Sequence, residues 1–267
     1  MNNSIAEINT YAKKWVLAAG ERIKESFSKT LDIQAKSNPN DLVTNIDKET
    51  EQFLIGKIKE TFPSHRILGE EGFGDKLMDL SGVVWIIDPI DGTMNFIHQQ
   101  RNFAISVGIY IDGEGIIGLI YDVAHDELYH VVKGQGVYMN EKELPELRER
   151  KVSESIIALN ATWVTENRRL KPELLAPLVR NVRGTRSYGS AAMELVYVAT
   201  GRLDAYITPR LAPWDIAAGI LMVKELGGIA TDLRGKSLNL IKENSVLVTA
   251  PGLHQEILGG YLKDGNW

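Results

Sequence analysis

Apolar side chains recur every three or four residues from Ile8 through Ala12, Trp15, Ala19 and Ile23 to Phe27. That spacing predicts an amphipathic helix over residues 5–28, and Ser4 with Glu7 three positions on supplies a capping box at its start. A polar loop, "SNPNDLVTN", leads into a second helix opening near Thr44. Ile46, Phe53, Leu54, Ile58 and Phe62 form its apolar face, and Pro63 ends it. The period then shortens. Residues 66–69, "RILG", read as a short strand that runs into Glu70 and Glu71 and a glycine-rich loop. Residues 83–87, 103–111 and 115–122 are β-rich, the last two joined through "DGEG", a hairpin signal. "ELYHVV" and "GVYMN" continue the same sheet.

After about residue 150 strands and helices alternate. "SIIALNAT" is a predicted strand, 167–180 a helix, "NVRGTRS" a strand and "GSAAMELVYVATG" a helix closed by Gly201. "LDAYIT" is a strand, and "PWDIAAGILMVKELGG" is one helix with Pro before it and a Gly pair behind. "SVLVTA" and a last helix complete the chain. Antiparallel hairpins followed by βα alternation predict a layered α/β (α+β) protein. No low-complexity linker or internal repeat divides it, so a single domain over 1–267 is expected, in two packed halves of about 1–150 and 151–267.

Composition narrows the function classes. Of 267 residues, 44% are hydrophobic and 24% charged, ordinary for a globular protein. A formal net charge of −5 weighs against nucleic acid or an anionic membrane as partner. With no cysteine there is no disulfide, thiol nucleophile or cysteine-ligated metal. The first residues, "MNNSIAEINTYAKKW", are polar and amphipathic, and no apolar run approaches the roughly 18 residues of a membrane span. A cytoplasmic protein is the expectation.

Several motifs fail on context. "GEGIIG" at 113–118 matches a dinucleotide-binding pattern, but β-rich sequence follows where a helix should begin, so a hairpin turn is expected. There is no phosphate-binding G-x-x-x-x-G-K-[ST] loop and no G-x-S-x-G elbow. His65, His98, His125, His130 and His254 show no helical metal-binding spacing and read as solvated or satisfied side chains. "NNS" and "NAT" match glycosylation acceptors without a secretory signal to support them.

The segment "VVWIIDPIDGTMNF" at 83–96 carries the candidate chemistry. Five apolar residues lead into a turn bearing Asp88 and Asp91. Pro89, lacking an N–H, is expected to end the ladder begun at Val83, leaving the Ile90 carbonyl free to point with both carboxylates. Gly92 permits close backbone approach to a ligand. Thr93 opens a short helix whose first N–H groups suit a phosphate. Two carboxylates about 4 Å apart repel by roughly 1 kcal/mol in water and several-fold more when partly buried. A hard divalent cation such as Mg2+, which takes carboxylate and carbonyl oxygens, removes that cost. Further acids are candidates: Glu70 at the end of strand 66–69; Asp47 opening the second helix, where it also suits the helix dipole; and Asp215 behind Pro213 and Trp214, which taken alone reads sooner as a helix N-cap than as a ligand.

These stretches resemble the inositol monophosphatase family: "GEE" at 69–71, "DPIDGTMNF" at 88–96, "WDIAAGILMVKELGG" at 214–228 and K-x(4)-D-x-V-T-x-x-D at 36–47. The resemblance covers nearly the whole chain in the same order. It implies a five-layered αβαβα sandwich of the inositol monophosphatase and fructose-1,6-bisphosphatase type. It also implies a homodimer that hydrolyses phosphate monoesters with Mg2+ and is inhibited by Li+. Carried over by motif, Glu70, Asp88 and the Ile90 carbonyl hold one metal. Asp88, Asp91 and Asp215 hold a second, and Glu70 helps place a third. Thr93, oriented by Asp47, acts with Glu70 on the attacking water, and the Gly92 and Thr93 amides cradle the phosphate. Gly189, Ser190 and Ala191 meet the alcohol part of the substrate. Animal members have a glutamate for an inositol hydroxyl where this chain has Thr208, with Arg210 nearby, a donor to a second phosphate if it faces the pocket and a solvated side chain if it does not. The expected substrate is a small phosphorylated metabolite, by default myo-inositol monophosphate. Fructose bisphosphate or NADP-type metabolites are the alternative, and a binding role with the transcription or ribosome machinery is the second alternative.

Overall fold

A computed structural model of the chain describes residues 4–36, 39 and 42–265. Asp41 of the K-x(4)-D-x-V-T-x-x-D stretch and both asparagines of "NNS" lie outside the described residues. Helix α1 (Ile5–Ser26) opens as its cap predicts, the Ser4 hydroxyl accepting from the Glu7 amide at 3.1 Å. Where a loop was expected, β1 (Ile33–Ala35) pairs antiparallel with β2 (Leu42–Thr44) ahead of α2 (Asn45–Thr61).

Seven strands form the first sheet in chain order: β3 (Arg66–Gly69), β4 (Val83–Asp91), β5 (Ala104–Ile111), β6 (Glu114–Asp122), β7 (Glu127–Val132), β8 (Val137–Met139) and β9 (Lys142–Glu143). Only β3 runs parallel to its neighbour; α3 (Thr93–Gln99) interrupts the meander after β4. "GEGIIG" is the hairpin expected of it, with Ile111 facing Glu114 across Asp112 and Gly113, both at positive φ.

The second sheet is built from β10 (Ile156–Ala158), β11 (Gly184–Arg186), β12 (Ala205–Leu211), β13 (Ile229–Thr231) and β14 (Asn244–Thr249), in the order β11-β10-β12-β14-β13. Its helices are α4 (Pro172–Asn181), α5 (Ala191–Ala199), α6 (Pro213–Ile216), α7 (Gly219–Glu225) and α8 (Leu253–Gly260).

Three apolar clusters stack these elements into five layers. Ile8, Trp15 and Ile23 of α1 and Leu54 and Ile58 of α2 bury against Trp85, Ile87, Val107 and Leu119 on one face of the first sheet. The opposite face, through Val84, Ile86, Ile120 and Val131, packs on α5 to α7, which also cover Tyr206, Val246 and Val248 of the second sheet. Leu175 and Leu178 of α4 and Leu253 and Ile257 of α8 seal the far face through Ile157, Ile207 and Leu247. The order is αβαβα, as the resemblance implies.

Three expectations are corrected. Helix 167–180 begins only at Pro172, because the Asn167 side chain takes the Arg169 and Leu170 amides, each at 2.9 Å, into a turn. Strand β4 does not stop at Pro89: pairing skips register after Asp88 and resumes with Asp91 opposite Ala104, a bulge around the proline. The single helix expected from Pro213 is two, α6 and α7. Tyr110 donates its hydroxyl to the Ala217 carbonyl at 2.8 Å, removing it from the helix ladder. Gly108 and Gly118 let that backbone lie on the sheet, since a Cβ at Gly108 would fall 2.8 Å from the Ala217 Cβ.

Candidate active site

The β4 bulge, the start of α6 and the end of β3 meet at one edge of the first sheet. Asp88, Asp91 and Asp215 converge there, each offering a carboxylate oxygen within 4.8 Å of the others. Asp88 and Asp91 are buried, at 1% and 8% exposure. No lysine or arginine pairs with any of the three among the described residues. What holds them is neutral. Asp88 accepts from the Ile90 amide at 3.1 Å. Asp91 accepts from the Ser190 hydroxyl and from the Ala192 amide at 2.6 Å. Asp215 accepts from the Ala212 amide at 2.8 Å, at the mouth of α6.

Such a cluster cannot hold three negative charges without a counter-charge. Burial, then the charges of Glu70, Asp91 and Asp215, push the Asp88 carboxyl well above its usual range. Burial raises Asp91 to about 6 in spite of the Ser190 and Ala192 bonds, and raises Asp215 well above normal with Asp91 adding to it. Each shift marks a site that calls for positive charge or a proton.

Glu70 stands at the rim. Its carboxylate pairs with Lys36 at 2.8 Å, and Lys36 also bonds Glu71, while the charge of Glu70 helps raise the Asp88 carboxyl. Burial drives Glu71 up to about 7 against the Lys36 bond. Thr93, first residue of α3, donates its hydroxyl to Asp47 at 2.9 Å or to the Ile90 carbonyl at 3.1 Å. Asp47 is fully buried, its second oxygen fixed by the Thr44 amide at 2.9 Å and the Thr44 hydroxyl, the capping box of α2. Gly92, at φ +93°, turns the chain between β4 and α3. A side chain there would meet the Asn102 carbonyl and Ser190 at 3.0 Å.

The substrate-side expectations are placed differently. Ser190 is buried; its hydroxyl caps α5 through the Met193 amide and bonds Asp91, so Gly189–Ala191 stands behind the acid. Thr208 is also buried and does not line the cavity beside the acids. Its hydroxyl lies 3.3 Å from the Arg210 carbonyl and 3.5 Å from the Arg210 amide, inside a register shift of β12. Arg210 does line that cavity, a cleft of 520 Å³ walled also by Lys36, Glu70, Trp214, Asp215, Ile241 and Glu243.

Glu51 was missed by sequence reasoning. It is fully buried on α2 and accepts the Glu71 amide at 2.8 Å and the Phe73 amide at 3.0 Å, pinning the loop that carries Glu70. Its signal was available: Asp47, Glu51, Leu54 and Ile58 lie on one buried stripe of α2, and an acid on a core-facing stripe needs partners. Lys36 opens the 36–47 motif, yet the resemblance gives it no role. Four histidines are satisfied and the fifth, His98, is exposed to solvent: His65 accepts from the Trp85 indole at 3.0 Å, and His125, His130 and His254 have partners.

Layers and acids together define a class: a five-layered αβαβα protein with a buried acidic site able to hold a metal ion at a sheet edge. The chain belongs to the inositol monophosphatase family, whose model matches residues 4–264, and with it to the phosphoric monoester hydrolases. It is 63% identical to the inositol-1-monophosphatase of Bacillus subtilis (strain 168), over 96% of this chain and 97% of that protein. Crystal structures of SaIMPase-II from Staphylococcus aureus are similar. One binds inositol monophosphate (44% identity, 96% and 93% of the two chains, TM-score 0.87) and one binds 2'AMP (46%, 96% and 94%, 0.89). An IMPase/NADP phosphatase complexed with Mg2+ and phosphate aligns at 26% identity over 99% and 97%, with TM-score 0.89.

Proposed function

We propose that this chain hydrolyses small phosphate monoesters with Mg2+, with myo-inositol monophosphate as the default substrate and larger phosphorylated metabolites accepted. The observation that carries this reading is the Asp88–Asp91–Asp215 cluster, Asp88 and Asp91 buried and Asp215 half-buried, hydrogen-bonded among the described residues by neutral donors. Its donors are hard oxygens, and with the Ile90 carbonyl and Glu70 at its edge they fit Mg2+. In this reading Glu70, Asp88 and the Ile90 carbonyl would hold one ion, and Asp88, Asp91 and Asp215 a second. When bound, Mg2+ neutralises the phosphoryl oxygens and the departing alkoxide and makes water a better nucleophile.

The side chains then have separate roles. Thr93 donates its hydroxyl hydrogen bond to Asp47, which leaves its oxygen lone pairs to accept from a water lying between it and Glu70, so that the water's proton moves toward these acids as it attacks. Asp47, locked by Thr44, sets that orientation, and water so aligned attacks phosphorus in line with the leaving alcohol. The Gly92 and Thr93 amides cradle the phosphate, by the family resemblance. Ser190 and the Ala192 amide keep Asp91 aimed. The alcohol part lies in the 520 Å³ cleft, large enough for a polyol or a nucleoside. The SaIMPase-II complexes with inositol monophosphate and 2'AMP support both. A cytoplasmic homodimer completes the proposal.

The test is phosphate release from myo-inositol monophosphate after chelation and after Mg2+ is restored. Activity should vanish and return. Asp91→Asn should lose at least about a hundredfold, the scale of removing a main electrostatic stabiliser. Full activity in the chelated protein, or near-normal turnover by Asp91→Asn, would overturn the proposal.

A further inference from the structure

The 520 Å³ cleft has a wall that the family motifs do not describe. Between Thr208 and Leu211 strand β12 shifts register against β14, and the Thr208 hydroxyl sits inside the shift against both the carbonyl and the amide of Arg210. The bulge turns Arg210 out of the sheet and into the cleft, where its charge acts favourably on the Asp215 carboxylate. Opposite stands the turn 239–244, and it is tightly tied. Asn244 accepts the Asn239 amide at 2.7 Å and donates to the carbonyls of Asn239 and Lys242 at 2.7 and 2.8 Å. Asn239 in turn accepts the Ile241 amide at 2.8 Å. Two asparagine side chains thus fix the turn, and it delivers Ile241 and Glu243 to the same cleft. There Glu243 pairs with Arg210, Nε to Oε1 at 3.1 Å, and lies 3.8 Å from Arg169 through its other oxygen.

We propose that Glu243, through its pair with Arg210, sets the charge preference for the leaving group, favouring neutral polyhydroxylated alcohols over alcohols that carry a second anion. The proposal rests on the phosphatase reading above and adds to it. Side by side, Glu243 offers a carboxylate acceptor, shared with Arg169 at 3.8 Å, and Arg210 its remaining N–H groups. Those are the complements of neighbouring hydroxyls on a polyol. A second phosphate meets the same arginine only by displacing Glu243 or lying against its carboxylate. Arg210 faces the cleft, but as a partner of Glu243 rather than a free fork for a second phosphate. Thr208 also gains a role, since it cannot reach the substrate but holds the bulge that presents Arg210. The hydroxyl anchor missing from position 208 is supplied from the bulge and the turn instead.

Both side chains are about half exposed, at 51% and 55%, so the pair itself is weak and its effect is on selectivity. The experiment measures kcat/KM for myo-inositol monophosphate and fructose 1,6-bisphosphate, each divided by that for p-nitrophenyl phosphate, which has neither hydroxyls nor a second charge. In Glu243→Gln the inositol-to-bisphosphate ratio should fall about tenfold or more, with the bisphosphate value rising. In Arg210→Gln the bisphosphate value should fall. The opposite signs separate a charge gate from general damage to the cleft. A ratio in Glu243→Gln within twofold of the parent, or a bisphosphate value that falls in both variants, overturns the inference while the phosphatase reading stands. No turnover of any of the three by the parent enzyme overturns the phosphatase reading and this inference together.

Discussion

Replacing Asp91 by asparagine removes one negative charge from the acidic cluster while keeping the side chain's shape. The carboxyl is raised from 3.8 to about 6, about two pKa units, and each unit is worth about 1.4 kcal/mol. Ionised Asp91 therefore costs the metal-free fold roughly 3 kcal/mol. The Ser190 and Ala192 donors both address one oxygen, Oδ2, and the asparagine carbonyl can take over both bonds. Allowing for the polarity of the new amide, Asp91→Asn should stabilise the metal-free protein by about 1–3 kcal/mol. At this chain length that is roughly 2–6 °C in Tm.

The pH dependence follows from the direction of the shift. A carboxyl raised in the folded state binds more protons there than in the unfolded chain between about pH 4 and pH 6, so stability falls as pH rises through that window. The two proteins should thus melt together near pH 4 and separate progressively to a plateau above pH 7. Burial and the neighbouring acids raise Asp88 and Asp215 in the same direction, so the metal-free parent weakens further at higher pH. Calorimetric or fluorescence melting in chelator from pH 4 to pH 8 reads the gap. Excess Mg2+ at pH 8 should reverse the order, because only the parent keeps the full donor set. A gap independent of pH, or a variant that melts below the parent in chelator at pH 8, would refute the reasoning.

Thr93→Ala should lower kcat much more than it raises KM, because the hydroxyl orients water more than it binds the ground state; steady-state kinetics showing an effect confined to KM would leave Thr93 as a phosphate contact only. Glu51→Ala frees the half-buried Glu71 and Phe73 amides, which water can partly reach, so the loss in stability should be about 1 kcal/mol. Its Mg2+ binding, titrated calorimetrically, should weaken several-fold, and unchanged affinity would confine Glu51 to a structural role. Gly108→Ala puts a methyl 2.8 Å from the Ala217 Cβ and 2.9 Å from its carbonyl carbon. Overpacking there should cost about 1–3 kcal/mol in denaturant melting and displace Asp215 through α6, so activity should fall with stability.

The fold was legible wherever local pattern and tertiary demand agree. α1 follows its apolar stripe from a real cap at Ser4, and the "DGEG" hairpin forms where its turn residues say. Legibility failed where a distant partner decides. The break between α6 and α7 comes from the Tyr110 hydroxyl and Gly108 on a strand of the first sheet, neither visible in "PWDIAAGILMVKELGG". The late start of α4 is set by Asn167, a local competitor that periodicity alone does not weigh. At the site, "DPIDGT" showed where the acids sit because two carboxylates beside a strand end have few neutral explanations. The burial of Thr208 was not legible, because its position relative to the W-D motif says nothing of the β12 bulge that encloses it. Glu51 was passed over because a helical glutamate is usually solvated, and only its place on the Asp47–Leu54–Ile58 stripe marks it as different.

The central claim is that Asp88, Asp91 and Asp215 form a divalent-metal centre. Crystals soaked in Mn2+, a cation of similar oxygen preference to Mg2+, test it by anomalous diffraction. The expected result is a peak between the three carboxylates that disappears in Asp91→Asn crystals, with any second peak lying beside Glu70, Asp88 and the Ile90 carbonyl. No peak among these acids under Mn2+ concentrations that support phosphate release, or metal found only elsewhere on the protein, would contradict it.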